Sequence, residues 1–217
     1  MRLRRIPQAQ PLVDSHYLVI TEQKALSLAG CWRQLFATDK PLIVEIGMGR
    51  GRFLYAAAAA HPEYNYLGLE RRAEPLLWLL KEAREPYPAN LRIIHSEAAL
   101  LAQIFSPGEV ATLYLFFPDP WPKSRHAKRR LTSLAFVEIY QRILQPAGRL
   151  IFKTDGAAYY HWSSANFTKA GWRLRQACED QPAANIEAVS SYERRFRDLG
   201  QPIYYAEFIS PAILEEY

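Results

Sequence analysis

The chain is poor in sulfur: of 217 residues, only two are cysteine and two are methionine. Cys31 and Cys178 stand far apart, with no Cys-x-x-Cys pair and no histidine at ligand spacing. That excludes a disulfide scaffold and a zinc ribbon, and it points to reduced thiols in a cytoplasmic protein. His16, His61, His95, His126 and His161 are scattered, so no metal is expected. No apolar run approaches the length needed to cross a bilayer, so no membrane association is expected. The opening Met1-Arg-Leu-Arg-Arg-Ile-Pro-Gln is basic, but no apolar stretch follows it, which argues against a secretory signal. Acid is in deficit: 22 Asp and Glu face 27 Lys and Arg, for a net charge of +5. Twenty of those cations are Arg and seven are Lys. Arginine presents a planar fork to phosphate and stacks on bases, so the bias suits a nucleic-acid partner. A GC-rich codon usage would produce the same bias.

What is present is enough for one sizeable core, with 49% hydrophobic and 13% aromatic residues. From Pro41 onward, short apolar runs alternate with helical patterns, as in stacked βαβ units. Strands are predicted at 42–46, 64–69, 91–95, 112–117, 149–154, 172–177 and 203–209. Helices are predicted at 53–60, 73–84, 98–105, 132–144 and 158–170, with Pro146-Ala-Gly148 and Gly171 as stop signals. The expected fold is α/β: a Rossmann-like, seven-stranded, mostly parallel sheet with helices on both faces and an antiparallel last strand. Residues 1–40 read as a basic arm with a lead-in helix, and residues 41–217 as the main domain.

The first predicted strand runs into Glu45-Ile46-Gly47-Met48-Gly49-Arg50-Gly51-Arg52, which opens the first helix. Glycines there allow a tight turn and bring a ligand close to bare backbone. A dinucleotide fingerprint wants Gly or Ala where Arg52 stands. Glu45 would repel a pyrophosphate but would suit a cation. S-adenosylmethionine carries a sulfonium and an ammonium and no phosphate, and it fits this rim better than NAD. Glu70 ends the next strand, placed to accept ribose hydroxyls. Glu97, after the third, is a candidate for the adenine amino group, or else Ser96 caps a helix with Glu97 in its first turn.

The fourth strand breaks into Pro118-Asp119-Pro120-Trp121-Pro122-Lys123-Ser124-Arg125-His126-Ala127-Lys128-Arg129-Arg130. In an open α/β sheet this loop faces the ligand crevice, and the prolines would hold Asp119 and Trp121 in place. Trp121 is either a stacking surface for a base or a loop anchor. Arg125, Lys128, Arg129 and Arg130, with Lys123, read as phosphate contacts, and Arg2, Arg4 and Arg5 are possible additions. Lys123 to Arg130 holds five cations and no acid, a local charge equal to that of the whole chain.

Phe117-Pro-Asp-Pro-Trp-Pro-Lys123 with the basic run resembles the bacterial tRNA (guanine-N7)-methyltransferase family. So do Glu45-Ile-Gly-x-Gly-x-Gly51, Glu70, Lys153-Thr-Asp155 and Ser190-Ser-Tyr-Glu193, in that order. The resemblance runs from about Pro41 to Phe208. It implies a class I methyltransferase domain over residues 41–217 and methyl transfer from S-adenosylmethionine to guanine N7 in the variable loop of tRNA. Nothing in the sequence decides between a monomer and a homodimer. It also implies that Glu45, Gly47, Gly49, Gly51, Glu70, Glu97 and Asp119 line the cofactor and reaction site. Lys123, Asp155, Ser190, Tyr192 and Glu193 would contact the substrate. Two positions depart from the family: Glu97 stands where Asn or Asp is more usual, and Ser190 where Thr is.

Guanine N7 has a lone pair and no proton, so attack on a sulfonium methyl needs no general base. Asp119 or Asp155 would stabilise the positive charge that develops on the purine, and Asp119 is the leading candidate. Tyr192-Glu193-Arg194-Arg195 supports two readings: Glu193 bonds the guanine and the arginines hold backbone, or the segment is a short helix with internal ion pairs. Methylation of an exocyclic amine, a silent tRNA-binding fold, and an NAD oxidoreductase are the competing readings, in that order.

Overall fold

A computed structural model of the chain describes residues 6–36, 38–83, 85–180 and 189–211. Eight strands form one sheet: β1 (Val19–Thr21), β2 (Leu42–Ile46), β3 (Asn65–Glu70), β4 (Leu91–His95), β5 (Val110–Phe116), β6 (Leu144–Thr154), β7 (Arg173–Cys178) and β8 (Tyr204–Ile209). Around it lie α1 (Ala9–Asp14), α2 (Glu22–Leu26), α3 (Trp32–Phe36), α4 (Arg52–Ala60), α5 (Ala73–Glu82), α6 (Leu101–Ile104), α7 (Leu134–Ile143), α8 (Ala157–Lys169) and α9 (Ser191–Asp198). The strand order is β1-β4-β3-β2-β5-β6-β8-β7, parallel throughout except that β8 runs antiparallel to both β6 and β7.

The central strands are apolar on both faces because helices cover both. In β2, Leu42, Val44 and Ile46 enter one core with Leu113, Leu115, Val137 and Phe152. Ile43 points the other way, into a second core with Leu54, Leu76, Leu91 and Ile93. This is the two-residue period of a strand feeding two layers. Gly171 ends α8 with φ +81, while Gly171 N and Trp172 N donate to the carbonyls of Thr168 and Phe167 at 3.0 Å.

Three expectations need correction. Among the described residues the sheet has eight strands, not seven, because β1 adds to the edge beside β4 with Val19 opposite Ile93. The segment predicted as an arm and lead-in helix thus reaches into the sheet. Two polar contacts pin it at the tip of β4: His95 Nδ1 to Asp14 Oδ1 at 2.5 Å, and Ser96 Oγ donating to Glu22 at 2.8 Å. Second, β6 begins at Leu144, five residues early, with an irregularity in its pairing to β5 and Ala147 at φ 57. Pro146 therefore sits in a distorted strand start, where its missing N–H is tolerated. Third, the predicted helices leave the stretch between the last two strands bare, and α9 occupies part of it. Arg2, Arg4 and Arg5 lie outside the described residues.

The strand order reverses between β2 and β5, since the chain leaves β2 toward β3 and β4 and returns on its other side. In such sheets the ligand crevice opens beyond the C-terminal ends of those two strands. The glycine turn follows β2 and the proline-rich loop follows β5.

Candidate active site

A cleft of about 530 Å³ lies at that reversal, lined among others by Gly47, Gly49, Glu70, Glu97, Asp119 and Tyr192. A small space beside it touches Glu45, Gly51, Ser190 and again Tyr192. The sequence-predicted cofactor residues therefore converge from the tips of β2, β3, β4 and β5.

The three glycines of the turn have positive φ, at +74, +56 and +61 for Gly47, Gly49 and Gly51, but they do different work. A side chain on Gly47 or Gly49 would meet nothing within 4 Å, so their bare backbone faces open space. A Cβ on Gly51 would lie 2.2 Å from Met48 Cε and 3.0 Å from a Leu79 methyl, so this glycine leaves room for Met48 and α5 to pack against the turn. Arg52 fits a position where a dinucleotide fingerprint needs a small residue because its guanidinium turns outward to Glu82, with Nη2 at 2.6 Å.

Glu70 fastens the turn to β3. One carboxylate oxygen accepts from Gly49 N at 3.1 Å and the other from Arg72 N at 3.0 Å. Burial raises its pKa, and these backbone donors oppose the rise. Glu45 is more extreme: 3% exposed, with Oε2 buried and without a hydrogen-bond partner among the described residues. Burial pushes its pKa up to about 8, opposed by the nearby Lys153 charge and aided by Glu70. A buried carboxyl with a vacant acceptor beside bare backbone suits a cationic ligand, which would restore its charge. An ammonium fits this donor set, and a pyrophosphate does not.

Glu97 lines the cleft and is exposed; it holds the N-cap position of the turn Ala98–Leu100 but makes no capping bond. Ser96 is not a cap either, since its hydroxyl is spent on Glu22.

The proline-rich loop is held under backbone strain. Phe117 and Trp121 adopt φ values of 51 and 40, in the left-handed region that costs such residues on the order of 1–3 kcal/mol each. The surroundings enforce it. Phe117 N donates to the Lys153 carbonyl at 2.8 Å, and its ring stacks on Phe196 of α9 at 5.6 Å. The carbonyl of Trp121 accepts from Arg130 Nη2 at 3.1 Å. Between these fixed points Asp119 is exposed to the cleft.

The basic run folds as a 3₁₀ turn, Ser124–Arg129. Lys123, Arg125, Lys128 and Arg129 are exposed, and Arg129 both lines the cleft and lies 5.3 Å from the Trp121 ring centre. Arg130 is placed differently from the other predicted phosphate contacts. Its guanidinium stacks on Trp162 at 4.3 Å while bonding the Trp121 carbonyl, so it braces the loop from within. Trp121 is edge-on to His126 on this side and also lines the cleft.

Of the predicted substrate residues, Tyr192 is 52% exposed and borders the cleft, whereas Asp155 is exposed one residue beyond β6 and does not line it. Ser190 caps α9, accepting from Glu193 N at 3.1 Å. Glu193 does not face the cleft. It is 1% exposed and occupied by two cations: Lys153 Nζ at 3.2 Å and Arg197 Nη2 at 2.6 Å. The helix with internal ion pairs is thus the observed alternative. Lys153 and Arg197 were missed as the partners that hold Glu193 away from the cleft. The i, i+4 spacing of Glu193 and Arg197 was a readable signal, and so was a lysine ending the apolar run Leu150-Ile-Phe.

Among the described residues there is no cluster of potential metal ligands, and no helix is long and apolar enough to cross a membrane.

The α/β sheet, with a glycine turn after β2 and an acid at the tip of β3, has the Rossmann-like fold of the class I methyltransferases. The fold matches a solved variant of a 16S rRNA (adenine(1408)-N(1))-methyltransferase from Catenulisporales acidiphilia, with its cosubstrate SAM, at TM-score 0.60 and 17% identity over 86% of this chain and 92% of that one. A family model described as "Putative methyltransferase" matches residues 39–206. At the level of sequence, a tRNA (guanine-N(7)-)-methyltransferase of Limosilactobacillus fermentum is 39% identical over 94% of this chain and 96% of its own length. One from Listeria monocytogenes is 37% identical over 95% and 97%. The chain belongs to the tRNA (guanine-N(7)-)-methyltransferase family.

Proposed function

We propose that this protein transfers the methyl group of S-adenosylmethionine to N7 of a guanosine in the variable loop of tRNA. The observation that carries the cofactor half is Glu45: a buried carboxyl with a vacant oxygen at the base of an open glycine turn. On this reading Glu70 accepts ribose hydroxyls with the lone pairs that Gly49 N and Arg72 N leave free, and Glu97 meets the cofactor from the tip of β4. The names of the relatives support the guanine N7 of tRNA as the acceptor.

Bound S-adenosylmethionine supplies an electrophilic methyl group on a sulfonium. The acceptor nitrogen has no proton to lose, so the residues of this chain orient rather than deprotonate. Alignment of acceptor and methyl in a fixed site is worth on the order of 7–11 kcal/mol. Asp119, on a strained and braced loop, presents a carboxylate where the purine becomes cationic, and it also accepts from the guanine N1–H and amino group. Lys123, Arg125, Lys128 and Arg129 hold phosphates beside it. A function on tRNA in the cytoplasm follows from this reading.

Calorimetry with S-adenosylmethionine and transfer of a labelled methyl group to a tRNA transcript test it together. Binding and incorporation are expected. Binding without incorporation into tRNA would overturn the acceptor, and no binding would overturn the cofactor.

A further inference from the structure

Away from the proline-rich loop, two elements bring arginines to one place. Arg52, the first residue of α4, and Arg194 and Arg195, in α9, line a hollow of about 330 Å³ together with Asp198 and Leu199. Arg52 is shared with Glu82 at 2.6 Å. Arg194 and Arg195 are exposed and, among the described residues, take part in no salt bridge. Three cations there meet two acids, Asp198 and the Glu82 that holds Arg52, and the charge left over lies on Arg194 and Arg195. The hollow shares Arg52 with the small space beside the glycine turn, which Ser190 and Tyr192 also border. Tyr192 in turn borders the main cleft, whose lining includes Arg129 of the basic loop. Arg50 and Arg52 border the small space and Arg71, Arg72 and Arg129 line the cleft, so cations continue along this path.

We propose that Arg52, Arg194 and Arg195 form a second phosphate-binding surface, so that the RNA backbone is gripped on both sides of the cleft into which the target base enters. The inference rests on the tRNA reading of the site. Forked guanidiniums suit phosphate oxygens, and the predominance of arginine over lysine extends to this patch. Anchoring α9 through buried Glu193 keeps Arg194 and Arg195 in fixed places while leaving both side chains in solvent.

The test is a salt titration of tRNA binding to the full chain. Each phosphate contact contributes about 0.7–0.9 to the slope of log K against log salt. The double variant R194Q/R195Q should lower that slope by about 1–2 and weaken binding at low salt at least tenfold. Its melting temperature and its affinity for S-adenosylmethionine should match the parent. K128Q/R125Q on the loop should lower the slope separately, and the four changes together should add. If R194Q/R195Q keeps the parent slope while the loop variant loses its share, the second surface is overturned and the tRNA reading stands. If the parent itself binds tRNA with no salt dependence, the tRNA reading fails and this inference falls with it.

Discussion

Lys153, next to last in β6, and Glu193 of α9 form an ion pair at 3.2 Å, with their side chains 5% and 1% exposed. Arg197 takes the other carboxylate oxygen. The pair staples α9 to the sheet, and with it Tyr192 to the cleft and Phe196 to Phe117. Burial lowers the pKa of Lys153, and Glu193 opposes the shift.

Removing one partner of such a pair leaves a buried charge without compensation. Glu193→Ala should cost about 3–5 kcal/mol in urea unfolding. A loss below about 1 kcal/mol would mean that α9 is held by other contacts, Phe196 on Phe117 foremost.

Glu45 should impose a pH dependence on stability. In the folded protein it stays protonated up to about pH 8, whereas the unfolded chain ionises near 4.5. Between those values the unfolded state holds fewer protons, so this group's contribution falls as pH rises and levels off above pH 8. Glu45→Gln lacks that loss, and its melting temperature relative to the parent should climb between pH 5 and pH 8. The same variant should bind S-adenosylmethionine at least tenfold more weakly. A pH-independent difference in melting temperature would remove the case for a protonated Glu45.

Asp119→Asn keeps the shape of the loop and removes the charge. Methyl transfer at saturating substrates should fall by about 10²–10³-fold, the range seen when one transition-state contact is lost, while S-adenosylmethionine affinity stays within twofold. Full activity would show that the carboxylate charge has no role in the chemistry.

The cations of the loop should separate into two kinds. Neutralising Arg125, Lys128 or Arg129 should flatten the salt dependence of tRNA binding by about one unit each. Arg130→Gln should leave that slope alone and lower the melting temperature, because its guanidinium bonds Trp121 and stacks on Trp162. A slope change for Arg130 equal to the others would return it to the backbone contacts.

The parts of the fold carried by long apolar runs and punctuating glycines were legible in the sequence. β2, β4 and the body of α4 fall where periodicity puts them, and the glycine turn and proline-rich loop meet where Glu45, Glu70 and Asp119 imply. What escaped depends on partners distant in the chain. β1 is three residues long and exists because β4 offers an edge and His95 and Ser96 hold its flanks. α9 has few apolar residues, so its helicity rests on the Ser190 cap, the Glu193–Arg197 pair and the docking of Phe196. Glu193 looked like a substrate contact because nothing in its own segment reveals that Lys153 lies against it. Arg130 looked like its neighbours for the same reason, since Trp162 is remote in sequence.

Chemical mapping of the product tests the central claim most directly. A tRNA transcript methylated by the purified protein is reduced with borohydride and cleaved with aniline, which breaks the strand at N7-methylguanosine. Scission at a single guanosine in the variable loop, dependent on S-adenosylmethionine and lost with Asp119→Asn, is the expected result. Incorporation of label without scission would place the methyl group on another atom and contradict the account.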